Sequence, residues 1–225
     1  MNLDEVARQL ESESSRDRML ALASLRDVPA QDAVPLIKKV LHDTNGPIRS
    51  MAVFSLGIKP TEESFPVLTG LLANDPDYGI RADAAGALGY LEDPRGFEPL
   101  HRAFYEDTDW LVRFSAAVAL GNLKDVRAYD ALMQALNNKQ EDVMIHQAAI
   151  SALGEIGAID AVETIVTFIE ADDWLVRQRL AEALGNLPTP KSQAALRYLA
   201  KDSHPNVAEA AAIALQRCSD HPGLN

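Results

Sequence analysis

The side chains best suited to hold a metal or move a proton near neutral pH are histidines, and this chain has five: His42, His101, His146, His204 and His221. No H-E-x-x-H occurs among them. The acidic pairs Glu62-Glu63, Glu141-Asp142 and Asp172-Asp173 could serve acid–base chemistry, yet each stands where a helix begins, and complementing a helix dipole accounts for them. Cys218 is the single cysteine, so no internal disulfide forms, and it is either a reactive thiol or incidental. The G-x-S-x-G elbow, the P-loop and the dinucleotide glycine fingerprint are absent. Gly154-Glu155-Ile156-Gly157 reads as a helix end and not as a phosphate cradle. The residues alone imply no catalytic set and no metal set.

The elements that carry these residues repeat. Asp109–Leu123 reads DWLVRFSAAVALGNL and Asp173–Leu187 reads DWLVRQRLAEALGNL, identical at eleven of fifteen positions. Further copies begin at Asn45, Asp77 and Asp142. One leucine recurs at Leu25, Leu56, Leu88, Leu120, Leu153, Leu184 and Leu215, in steps of 31 to 33 residues. A fixed period of this size predicts stacked supersecondary units. Each unit reads as two helices. In the second, Val112, Ala116, Ala119, Leu120 and Leu123 form one apolar stripe at helical spacing. Asn45, Asp77, Asp109, Asp142 and Asp173 precede these helices as N-caps. The glycine after the leucine reads as the helix stop. Pro35, Pro66 and Pro99 fall near the starts of the first helices, where a missing N–H costs little. A lone helix pair cannot cover its apolar faces, so the fold class is all-α, an α-solenoid of about seven two-helix repeats over residues 1–225. Residues 1–11 form an N-terminal cap helix, and 219–225, with Pro222 and Gly223, read as a frayed tail.

The chain has 225 residues, 47% hydrophobic and 24% charged, with a net charge of −12. That acidity repels phosphate backbones and excludes nucleic acid as a partner. No apolar run approaches the length of a membrane span. The acidic start, Met1-Asn2-Leu3-Asp4-Glu5, is not a secretory leader, and a reducing, cytoplasmic compartment is expected. The five histidines fall at unrelated places in the repeat, so no metal site is expected.

The strings Asp107-x-Asp109-x-x-Val112-Arg113-x-x-Ala116-Ala117-x-Ala119-Leu120-Gly121-x-Leu123, and the same set from Asp75 to Leu91, resemble HEAT repeats of the PBS-lyase HEAT-like subclass. The resemblance implies an arginine–aspartate ladder between adjacent units, with Arg18, Arg49, Arg81, Arg113 and Arg177 facing Asp43, Asp75, Asp107 and Asp202. His146 replaces the arginine in the fifth unit, as a pH-sensitive point or a neutral substitution, and Ala208 replaces it in the seventh. One HEAT-fold enzyme class builds a di-iron site from His-Glu pairs, and this chain has no His-Glu dipeptide.

The resemblance also implies that the second helices line an inner surface. The positions one and five after the arginine give Met19 and Ala23, Ser50 and Phe54, Ala82 and Gly86, Phe114 and Val118. Later units are polar there: Gln147 and Ser151, Gln178 and Glu182, Glu209 and Ile213. The first group is either a contact strip for a protein or chromophore, or is buried between layers. Three residues before the arginine stand Tyr78, Trp110 and Trp174, as contact aromatics or as loop packing. The group resembled most includes small cyanobacterial HEAT proteins of phycobilisome degradation, bilin lyase subunits, and a partner of an iron–sulfur carrier. The resemblance thus implies a scaffold that binds a protein, foremost a phycobiliprotein, with no resident cofactor beyond a transiently held bilin or other tetrapyrrole. The compartment implied is cytoplasmic or stromal, near thylakoids.

Overall fold

A computed structural model of the chain describes residues 2–220. The chain divides into two compact units, residues 1–119 and 120–225. Helices alternate between a first and a second member of each pair, and no strand occurs among the described residues.

Unit 1 holds α1 (Leu3–Gln9), α2 (Ser15–Ser24), α3 (Ala30–Lys38), α4 (Gly46–Gly57), α5 (Ser64–Asn74), α6 (Tyr78–Leu91), α7 (Phe97–Glu106) and the start of α8 (Trp110–Asn122). Unit 2 holds the end of α8, then α9 (Tyr129–Asn137), α10 (Val143–Glu155), α11 (Val162–Ile165), α12 (Trp174–Asn186), α13 (Pro190–Leu199) and α14 (Pro205–Asp220). Residues 221–225 of the expected tail lie outside the described residues, and α14 itself runs to Asp220.

The second helices begin as their sequence dictates. The side chains of Asn45, Asp77, Asp109, Asp142 and Asp173 each accept a backbone N–H two or three residues ahead, at 2.8–3.3 Å. Those caps satisfy donors that no helical carbonyl can reach. The apolar stripes are then buried: Ile48, Leu56, Ile80, Leu88 and Val112 in unit 1, and Leu120, Leu180 and Leu184 in unit 2.

The repeated glycine does stand at the helix end: α4 ends at Gly57, α8, α10 and α12 end one residue past Gly121, Gly154 and Gly185, and α6 ends two residues past Gly89. It has a second role besides. A Cβ on Gly154 would stand 2.7 Å from the Cα of Ala183. On Gly57 or Gly121 it would stand 2.8 Å from the Cα of Ala87 or Ala152. The glycine therefore lets the next second helix approach, which any side chain would prevent. The left-handed residues past helix ends are Glu92, Lys124 and Gly157. Two local expectations need correction. Pro35 sits inside α3 and not at its start, whereas Pro66 and Pro99 occupy the first turns of α5 and α7. The sixth first-helix is short: α11 ends at Ile165, and a 3-10 turn covers Val166–Phe168.

Candidate functional site

The arginine column lies at the N-terminal ends of the second helices, where Arg18, Arg49, Arg81 and Arg177 reach a loop carboxylate of the next pair. Arg18 donates to Asp43 through two bonds of 2.5 and 2.8 Å. Arg81 donates to Asp107 at 2.8 and 3.0 Å, and Arg177 to Asp202 at 2.7 and 3.0 Å. This is the bidentate geometry that planar guanidinium favours. Hydrogen bonding to Arg18 holds the Asp43 carboxyl below the usual range, and Arg177 does the same for Asp202. At Asp107 burial pushes upward, but Arg81 together with the backbone N–H groups of Asp109 and Thr108 draws the carboxyl down.

Two rungs differ from expectation. Arg49 reaches Asp77, at 2.9 Å, and not Asp75. The Asp75 carboxylate instead accepts the Asp77 N–H, while its carbonyl accepts from Arg81. Arg113 donates to the Phe104 carbonyl at 3.0 Å. In the fifth pair the His146 Nε2 lies 3.1 Å from the Asn138 carbonyl, and its neighbour Gln147 donates to Asp173 at 3.2 Å. Gln147 is consequently buried and absent from the exposed face. The ladder residues thus set register between layers and present no reactive group.

The remaining candidates form a surface. On α6, Tyr78, Ala82, Gly86 and Tyr90 follow each other at four-residue spacing, as do Trp110, Phe114 and Val118 on α8. The aromatic column and the strip are therefore one helical face. In unit 1, Met19, Phe54, Tyr78, Trp110 and Val118 are exposed, Trp110 at 47% and Phe54 at 48%. Ser50 and Phe114 are partly exposed. Ala82 is the correction: at 5% exposure it lies beneath its neighbours and offers no contact.

Two residues of this face escaped the sequence reading. Ile58 and Tyr90 stand one helical turn beyond Phe54 and Gly86 and are 44% and 58% exposed. Tyr90 meets Phe54 edge to face, with ring centroids 5.8 Å apart. Each stands nine residues after its arginine, one step beyond the positions one and five after it, and the same four-residue spacing carried one step further reaches them.

The same face in unit 2 is polar. It carries a groove of about 440 Å³ lined by Gln178, Glu182, Asn186, Glu209, Ile213 and Arg217. Trp174 stacks on His204 at 4.0 Å with planes 8° apart, so this aromatic packs a loop. A larger groove, about 980 Å³, opens between α5 and α7 on the first-helix side of unit 1. Its walls mix Thr69, Glu98, His101, Arg102, Tyr105 and Glu106. Among the described residues no three His, Cys, Asp or Glu side chains are placed to hold a metal. Cys218 is buried, and burial pushes its thiol up, away from the reactive thiolate. No described helix is long and apolar enough to cross a membrane.

Known proteins share this construction. A chain of the CpcE–CpcF complex of phycocyanin lyase from Nostoc sp. PCC7120 is 27% identical, with a TM-score of 0.66 over 79% of this chain and 74% of that one. Human deoxyhypusine hydroxylase is 19% identical, with a TM-score of 0.52 over 97% of this chain and 96% of that one. The Escherichia coli protein YibA is 20% identical, with a TM-score of 0.59 over 96% and 93%. The last two likenesses concern fold alone. No curated protein sequence matches. The family model for HEAT repeats matches residues 3–89, 71–151 and 140–216, and with the paired helices and glycine contacts described above, the chain belongs to the HEAT-repeat family.

Proposed function

We propose that this protein is a non-enzymatic scaffold that binds a phycobiliprotein or related pigment–protein, in antenna turnover of the kind served by the phycobilisome-degradation protein NblB. The observation that carries this reading is the exposed face of unit 1, where Met19, Phe54, Ile58, Tyr90, Trp110 and Val118 leave contiguous second helices without an apolar partner. The likeness to a phycocyanin lyase chain supports the choice of partner. Isothermal titration of purified phycocyanin and allophycocyanin into the protein tests it. Binding in the micromolar range, weakened at least tenfold by Phe54→Asp, is the expected result. No heat of binding at tens of micromolar from either protein would defeat the reading.

A second reading is a bilin lyase subunit, favoured by the same neighbour. It requires that the chain, alone or with a partner subunit, alters the absorbance of free phycocyanobilin and delivers it to an apo-phycobiliprotein. Unchanged bilin absorbance in the presence of the protein removes this alternative and leaves the scaffold.

A further inference from the structure

One polar side chain stands apart on the exposed face of unit 1. Helices α4, α6 and α8 carry four charged residues, Arg49, Arg81, Asp83 and Arg113. The three arginines are engaged, with Asp77, Asp107 and the Phe104 carbonyl. Asp83 makes no hydrogen bond or ion pair with any described residue and is partly exposed. Asp83, Gly86 and Tyr90 are three and seven residues apart, so they share one line along α6. At Gly86 a Cβ would meet nothing within 4 Å. Below that gap stands the corner made by Tyr90 and the edge-on ring of Phe54. Along the helix, the line reads as a free carboxylate, an open gap and an aromatic corner.

We propose that this notch takes a lysine or arginine side chain of a protein partner, presented on an otherwise apolar segment. The alkyl stem covers Gly86 and packs on Phe54 and Tyr90, and the cationic head reaches Asp83. Charge complementarity selects this occupant. The only charge on these helices without a partner is negative, and the chain as a whole carries −12. A tetrapyrrole brings propionate carboxylates against that charge, and a second copy of the chain brings the same net charge. The inference rests on the scaffold reading above but not on the identity of the partner.

The test uses labelled synthetic amphipathic helical peptides with a leucine- and phenylalanine-rich face and arginine, norleucine or glutamate at its centre. Their affinities are read by fluorescence anisotropy at fixed salt, with circular dichroism confirming that each protein variant is folded. The wild-type protein is expected to favour the arginine peptide over the norleucine peptide about tenfold. Asp83→Asn removes that preference, Asp83→Lys turns it toward glutamate, and Gly86→Leu abolishes binding. An arginine preference that is absent in the wild type, or that survives Asp83→Asn, overturns the proposal. So does displacement of the arginine peptide by equimolar biliverdin, or self-association of the chain that Phe54→Asp abolishes. A phycobiliprotein that binds Asp83→Lys as well as wild type removes the notch and leaves the partner. A phycobiliprotein that fails to bind while the arginine preference holds removes the partner and leaves the notch.

Discussion

Replacing Gly154 by alanine separates two roles that a helical glycine can have. On helix propensity alone the change stabilises, by about 1 kcal/mol, because alanine loses less backbone entropy. The structure places a different demand on this position. The new Cβ would lie 2.7 Å from the Cα and 2.8 Å from the Cβ of Ala183, where carbon atoms normally rest about 3.5–4.0 Å apart. Backbone atoms of α12 cannot rotate aside as a side chain would, so α10 and α12 must part by about 1 Å. Overpacking of this kind costs about 1–3 kcal/mol, and separating a packed layer adds lost dispersion on both sides. The net expectation is destabilisation by about 1–3 kcal/mol, a fall in Tm of several degrees. Gly70→Ala on α5 is the control, since a Cβ there meets nothing within 4 Å. It should raise stability by about 0.5–1 kcal/mol. Thermal and urea unfolding followed by circular dichroism measure both. If Gly154→Ala proves as stable as Gly70→Ala, the close-approach reading of the glycine column is wrong.

Four further outcomes are expected. Asp107→Ala leaves Arg81 without its bidentate partner in a pair whose side chains are only 16% and 11% exposed, and should cost about 3 kcal/mol in urea unfolding. Glu63→Ala, in the solvated Lys38–Glu63 pair, should cost under about 1 kcal/mol. The ladder carboxylates of Asp43, Asp107 and Asp202 lie below the ordinary aspartate value of 3.8. Their stabilisation is therefore complete above that value and lost as pH falls through and below it. Equilibrium unfolding should show a steep decline in stability below about pH 4, and the decline should be shallower in Asp107→Asn. Glu92 and Lys124 hold φ of 51° and 52°, a left-handed conformation that costs a side-chain-bearing residue about 1 kcal/mol. Glu92→Gly and Lys124→Gly should each raise Tm or leave it unchanged, and a clear fall in both would contradict the strain.

What the amino-acid order made legible was whatever depends on a residue and its near neighbours. The leucine period, the Asp and Asn caps and the alanine stripe follow from helix geometry, and the described residues form seven helix pairs. Features that depend on an adjacent layer were not legible. A glycine after leucine at a helix end reads as a stop, and only the neighbouring layer, Ala87 beside Gly57 or Ala183 beside Gly154, shows that it also admits the next helix. Asp75 and Asp77 are equally placed in sequence to receive Arg49, and the choice of Asp77 is seen only in the structure. Ala82 shares the azimuth of exposed residues but is too short to emerge from between its neighbours. Trp174 repeats Trp110 in sequence and yet stacks on His204, because the seventh pair alone supplies a ring there. Asp83 drew no notice because a single charge on an amphipathic helix is ordinary until its lack of a partner is seen.

Hydroxyl-radical footprinting of the protein with and without purified phycocyanin addresses most directly whether the apolar face of unit 1 grips the partner. Oxidation of Phe54, Tyr90 and Trp110 should fall severalfold in the complex while Tyr105 on α7 and Tyr198 on α13 react as before. Protection of Tyr105 and Tyr198 with Phe54, Tyr90 and Trp110 unchanged would place binding on the first helices and contradict the account.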